Sequence, residues 1–141
     1  MNKNPVVLFC AIMVVSPAYA VNPADAIANS GIRGGIIVHL NCGDGRETAG
    51  MVSGDRFLVH GLDRTAENIA KARGHLRSKD LYGRASVTGF GGKTLPYGDN
   101  VVNLIITDNL GDVPEKEAMR VLVPGGILTV GDTKTVKPWP K

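Results

Sequence analysis

Five short runs of aliphatic and β-branched residues, separated by stretches of helical spacing, limit most strongly what this chain can fold into. Ile36–Leu40, Phe57–Leu62, Ala85–Thr88, Val101–Thr107 and Ile127–Val130 read as strands. Arg46–Ser53 reads as a short helix that Gly54 can terminate. Thr65 can cap a helix running to about Ser78, in which Ala66, Ile69, Ala70, Arg73 and Leu76 recur at helical spacing with Ile69 and Leu76 inward. Pro114 suits the first turn of a helix that ends before Pro124-Gly125-Gly126, and Ala24–Ser30 reads as a short leading helix within residues 21–33. Strands alternating with helices predict a parallel sheet with right-handed crossovers, and runs this apolar suit strands covered on both faces. The expected class is α/β: a three-layer sandwich over residues 34–131 with a mostly parallel, five-stranded sheet, followed by a basic tail or linker at residues 132–141. A sheet of this kind takes its ligand at the carboxyl ends of its strands, so the loops there are where chemistry is sought.

Residues 1–20 read as a segment outside the fold. Lys3 supplies a positive start, Pro5–Ser16 is uncharged and apolar, and Ala18-Tyr19-Ala20 fits a signal-peptidase site. The expectation is export, to the periplasm or the medium, with cleavage after Ala20 and no stable membrane span afterwards. Of the two cysteines, Cys10 lies in the leader, so the mature part keeps only Cys42 and no intrachain disulfide is available to it. The formal charge of +3 loses only Lys3 with the leader, and aromatic residues make up 5% of the chain. Neither a basic stripe nor a stacking platform is present to argue for a nucleic-acid partner.

Two loops carry the sharpest signals. Asn41-Cys42-Gly43-Asp44-Gly45 lies between a strand and a helix, where small residues let the backbone approach a ligand. Asp63 ends the second strand, 18 residues after Gly45, where a carboxylate can accept hydrogen bonds from both hydroxyls of a ribose. An ordinary helix-capping role is its bland alternative. Cys42 reads as a small packing residue, and His39 as a hydrogen-bonded structural histidine at a strand end. No His/Cys/Asp grouping has metal-ligand spacing, so no metal is expected.

Taken together and in this order, four segments resemble class I S-adenosylmethionine (SAM)-dependent methyltransferases of the type 11 branch. These are IIVHLNCGDG, FLVHGLD, LPYGDNVVNLIIT and EAMRVLVPGGILTV, spread over about residues 34–131. The resemblance implies a Rossmann-like methyltransferase fold that is incomplete in this chain, a small-molecule ligand, and SAM as the cofactor. It implies that Asn41, Cys42, Gly43, Asp44 and Gly45 face the amino-acid end of SAM, that Asp63 holds the ribose, and that Phe90, Gly91 and Leu95 border the adenine. A catalytic residue is not implied, because alignment of nucleophile and methyl supplies much of the effect on a good leaving group. Three positions depart from the family pattern: His39 stands at an acidic position, Asn41 at a glycine, and Gly91 at the carboxylate that bonds the adenine amino group. Removing a hydrogen bond to a charged partner weakens binding by about 1.5–3 kcal/mol. Lys134–Lys141 resembles the segment that joins such a domain to a C-terminal PQQ-like β-propeller in exported proteins. The departures motivate an alternative, a non-catalytic Rossmann-like module heading such a propeller protein. A nicotinamide dehydrogenase would need a full G-x-G-x-x-G after the first strand, which is absent here.

Overall fold

The computed structural model describes residues 22–141, so the leader and its cleavage site lie outside the described residues. The chain runs α1 (Pro23–Ser30), β1 (Gly35–Leu40), α2 (Arg46–Gly50), β2 (Phe57–Asp63), α3 (Ala66–Ser78), β3 (Ala85–Gly89), β4 (Val102–Thr107), α4 (Glu115–Val121), β5 (Leu122–Val130) and β6 (Thr133–Val136). The six strands form one sheet in the order β3-β2-β1-β4-β5-β6. Strands β1 to β5 are parallel and β6 is antiparallel to β5. This is the Rossmann-like α/β sheet expected from the alternation of runs, with one strand more than expected.

Each face of the sheet has its own core. Ile37, Val59, Leu104 and Ile127 meet Met51, Ala72 and Leu76 on the side of α1, α2 and α3. Val38, Leu62, Ile105 and Leu128 meet Ala118 and Val121 of α4 on the other. Alternate residues of one strand thus go to opposite layers, as the pleat dictates, and both layers are apolar.

The local departures from expectation have physical reasons. Helix α2 stops at Gly50, with Met51 already fully buried in the core. Thr65 has the extended backbone of an N-cap but its side chain makes no capping bond; the Asp63 carboxylate accepts from the Thr65 N–H instead, at 2.9 Å. Ala72 and Leu76 are the buried face of α3, and Ile69 is only partly covered. Strand β5 begins at Leu122, so Pro124-Gly125-Gly126 lies within it and not before it. These residues form an irregularity: Val102 pairs with Leu122 but Leu104 with Ile127. The displaced backbone is paired from the other side, where Gly125 N–H donates to Lys137 O and Lys137 N–H to Gly126 O. That pairing turns part of the expected tail into β6. Its alternating Thr-Lys-Thr-Val carries too few apolar residues to announce a strand, and β5 supplies the reason for it to form.

Between β3 and β4 there is no helix. Residues 90–101 cross as a loop whose polar backbone needs partners. Arg120 of α4 supplies them: its guanidinium donates to the carbonyls of Leu95 and Tyr97 and to the Asp99 carboxylate, while bonding Glu117 in a fork. Glu117 in turn accepts from the Leu95 N–H at 2.9 Å. The Arg120 bonds hold the Glu117 carboxyl below its ordinary value; burial opposes them, and the Leu95 N–H adds to the lowering.

Candidate functional site

The strand order reverses between β1 and β4, and the crevice at their carboxyl ends is the expected ligand position for such a sheet. The loop after β1 forms one wall. Cys42 is buried, with its N–H on Leu62 O at 3.0 Å, and its sulfur lies over Gly61, where any β-carbon would be only 2.9 Å from Sγ. Burial, reinforced by the charge of Asp63, pushes the Cys42 thiol up to about 11. It is therefore a protonated packing group at neutral pH, not a nucleophile.

The two glycines of this loop do different work. Gly43 has φ +57° and faces open space, whereas Gly45 has φ +81° and a β-carbon there would lie 2.8 Å from Cα and Cβ of Ala72 in α3. Gly45 lets the loop sit on α3; Gly43 leaves the outer side of the loop bare. Gly45→Ala combines left-handed strain with a backbone clash and is expected to destabilise the fold by about 2–4 kcal/mol. Gly43→Ala is expected to cost only the strain, about 1–2 kcal/mol. Denaturant midpoints of the two variants test this division of labour, and equal losses would contradict it.

Asp63, at the end of β2, is the organising residue. Its Oδ2 accepts from the Gly43 N–H at 2.9 Å; its Oδ1 accepts from Thr65 N–H at 2.9 Å and from the Asn68 amide at 3.3 Å. Burial alone would raise the carboxyl, but the donated N–H bonds from Thr65, Gly43, Asn68 and Arg64 outweigh it and keep Asp63 below the usual carboxylate value. The carboxylate thus ties the glycine loop to the end of β2. It has about four acceptor positions, and these N–H groups take up most of them.

The remaining residues singled out in the sequence are spread across the neighbouring loops. Asp44 is exposed and accepts from the Arg46 N–H at 3.1 Å. Asn41, at φ +59°, donates from its side chain to Asn109 O across the crevice at 3.1 Å. Phe90 is partly buried, with its N–H on Asp63 O, while Gly91 is exposed beside it with nothing near the place of a side chain. Leu95 is 2% exposed and belongs to the core on the α4 side, held there through Glu117. The structure therefore brings Asn41, Cys42, Gly43 and Asp63 together, sets Phe90 and Gly91 one strand further out, and leaves Leu95 beneath the surface.

Arg64 and Gly92 are participants that sequence reading missed, whereas His39 was read as structural. Arg64 reaches over Gly92 to an ion pair with Asp112, at 2.9 Å, and so spans from the end of β2 to the loop before α4. Gly92 has φ +94°, and a side chain there would collide with the Arg64 guanidinium. His39 is 5% exposed and sets Nδ1 against Thr48 Oγ1 at 2.8 Å. Burial lowers its pKa to about 4, against the opposing charges of Asp108 and Asp63. No grouping of three His, Cys, Asp or Glu placed to hold a metal ion occurs among the described residues, and no helix among them is long and apolar enough to cross a membrane.

Sheet order, glycine loop and β2 carboxylate together define the class: part of a Rossmann-like methyltransferase fold. Solved structures agree on the fold. A putative SAM-dependent methyltransferase from Methanococcus maripaludis superposes with a TM-score of 0.68 at 20% identity, covering 79% of this chain and 54% of that one. The [4+2]-cyclase SpnF gives 0.65 at 26% identity, covering 74% and 42%. Geranyl diphosphate C-methyltransferase from Streptomyces coelicolor, solved with Mg2+, geranyl diphosphate and S-adenosylhomocysteine, gives 0.63 at 17% identity, covering 74% and 43%. The chain spans about half the length of the solved chains it matches. No family model and no curated protein matches it.

Proposed function

We propose that this domain binds SAM at the carboxyl end of the sheet and serves methyl transfer to a small-molecule acceptor. The observation that carries the reading is the Asp63 carboxylate clasping the Gly43 N–H beside the crevice between β1 and β4. The residues fit the cofactor: Gly43 offers bare backbone, and the Asn68 bond to Asp63, at 3.3 Å longer than those from Gly43 and Thr65, is the easiest to exchange for a ribose hydroxyl. Phe90 offers an apolar edge beside Gly91. When bound, SAM would supply an electrophilic methyl on a sulfonium leaving group. The chain's own part is to orient it, through a loop whose geometry Asp63 and Gly45 fix in advance. Export through residues 1–20, and attachment to a C-terminal propeller through Lys134–Lys141, are further parts of this reading that rest on sequence pattern alone.

Titration calorimetry of residues 21–141 with SAM and S-adenosylhomocysteine tests it. Asp63→Ala is expected to weaken binding about tenfold or more, through loss of charge-assisted bonds and a looser glycine loop. A folded circular-dichroism spectrum with no binding by the unmutated protein would overturn the proposal.

A further inference from the structure

Parallel strands bring the residues that precede them to one end of the sheet, however far apart they stand in the sequence. Arg33, Arg56 and Arg84 come just before β1, β2 and β3, three neighbouring strands. Arg77 and Lys79, where α3 ends ahead of β3, stand at the same end. All five are exposed, and none is in an ion pair among the described residues. Asp55 and Asp80 are the carboxylates in these connections. The carboxyl end of the sheet is the acidic one. Asp44, Glu47, Asp108, Asp112 and Asp132 are exposed there, and Arg46 and Arg64 are taken up in pairs with Asp44 and Asp112.

Exposed apolar side chains collect at the basic end as well. Leu58, 57% exposed, is the second residue of β2 and lies next to Arg84, whose carbonyl accepts from the Val59 N–H at 3.0 Å. Tyr82 precedes β3, with the Arg77 guanidinium over its ring at 5.2 Å from the centroid. Val101 is exposed immediately before β4. Trp139, 74% exposed, follows β6 and rests on Gly125, in the early part of β5. From Tyr82 to Trp139 this row crosses the whole sheet, about 24 Å at the ordinary strand spacing. Between α1 and the start of β2 lies a hollow of about 510 Å³, lined by Ile27, Ile32 and Phe57 together with Arg33, Asp55 and Arg56.

Whatever covers such a surface has to supply anions and apolar depth together. An acidic peptide supplies carboxylates and leaves most of the apolar row in water. The headgroup region of a bilayer supplies both: phosphates that pair with guanidinium forks, and an acyl boundary that tyrosine, tryptophan and aliphatic side chains enter. We propose that the amino end of the sheet docks peripherally on an anionic phospholipid bilayer. The guanidiniums meet lipid phosphates, while Leu58, Tyr82, Val101 and Trp139 enter the boundary beneath them. The same surface repels the acidic carboxyl end, so the crevice between β1 and β4 faces away from the membrane and stays open. This goes beyond the proposed function and stands without it.

Trp139 is the chain's single tryptophan and reports on the contact directly. Residues 21–141 contain every strand and both cores, and are compared with the full chain. Their emission is expected to shift to shorter wavelength, saturably, with vesicles of phosphatidylcholine and phosphatidylglycerol. Phosphatidylcholine alone is expected to give little shift, and added salt to weaken the effect. Lipids brominated on their acyl chains should quench Trp139 in the anionic vesicles, a measurement that needs no variant. Arg56→Glu with Arg84→Glu is expected to raise the lipid concentration at half-saturation about twentyfold or more, at roughly fivefold per basic residue. Both side chains are exposed, and circular dichroism checks that the variant is folded. No shift or quenching with anionic vesicles, an equal shift with neutral ones, or unchanged affinity in the folded double variant would overturn the proposal. Binding seen in the full chain and lost with residues 1–20 belongs to the apolar leader and overturns it as well. So does an equal shift with poly-glutamate, which assigns the surface to an acidic protein instead.

Discussion

Between pH 7 and pH 4 the folded state is expected to lose about 3 kcal/mol of stability through His39 alone. The sign follows from which state holds the proton. An unfolded histidine titrates near 6.5, whereas burial lowers His39 to about 4 in the fold. Over that window the unfolded chain binds a proton that the folded chain refuses, so stability falls as pH falls. The loss begins as pH drops through about 6.5 and is complete below about 4, where both states are protonated. His60 adds to the same trend in the same direction, because burial lowers it as well. Its ring is held between the Tyr97 hydroxyl and Thr88 Oγ1, which ties β2 and β3 to the long loop. The measurement is urea denaturation at half-unit steps from pH 7 to pH 4, with His39→Gln alongside. Glutamine can keep a bond to Thr48 but does not titrate, so the variant should be less steep over the window whatever its stability at pH 7. An identical slope in both proteins would mean that His39 is not buried as described.

The same residue shows how far the sequence could be read. His39 was expected to be a hydrogen-bonded structural histidine at a strand end, and its bond to Thr48 agrees. What the sequence withheld was the neighbourhood, because Asp108 is distant in the chain and comes near His39 only through the pairing of β1 with β4. The fold itself was legible wherever a strand is largely buried: β1, β2 and β4 are mostly apolar, with His39, His60 and Asn103 as interruptions, and their identity needs no partner to be inferred. β6 was not legible, since its residues are mostly exposed and it exists by pairing with β5. The site divides in the same way. Gly43 and Asp63 were placed together by motif order and do bond each other. Leu95 was placed beside the ligand, but lies beneath the surface because Arg120 and Glu117 hold the loop down onto α4. A clamp between residues more than twenty positions apart leaves no local signature.

Gly91→Asp is expected to tighten SAM binding by roughly five- to a hundredfold, if a hydrogen bond of about 1–3 kcal/mol to the adenine amino group is restored. The resemblance to class I methyltransferases puts a carboxylate at this position, and glycine cannot supply one. The structure removes the main objection to the experiment. Gly91 is not among the residues with positive φ, and a β-carbon built on it meets nothing within 4 Å, so aspartate enters without strain or collision. The strained position is Gly92, at φ +94°, which must be left alone. One competitor is close by. The Arg64 guanidinium lies against Gly92 on its way to Asp112, and a new carboxylate at position 91 could pair with it in place of a ligand. Both members of the Arg64–Asp112 pair are more than half exposed, so that competition is weak and falls with added salt. Repeating the titration in an Arg64→Gln background removes it altogether. Affinity for an analogue lacking the exocyclic amino group should hardly change in either background, since the gain belongs to that one donor. Unchanged SAM affinity in both backgrounds, with an unchanged melting temperature, would place the base somewhere other than beside Phe90 and Gly91.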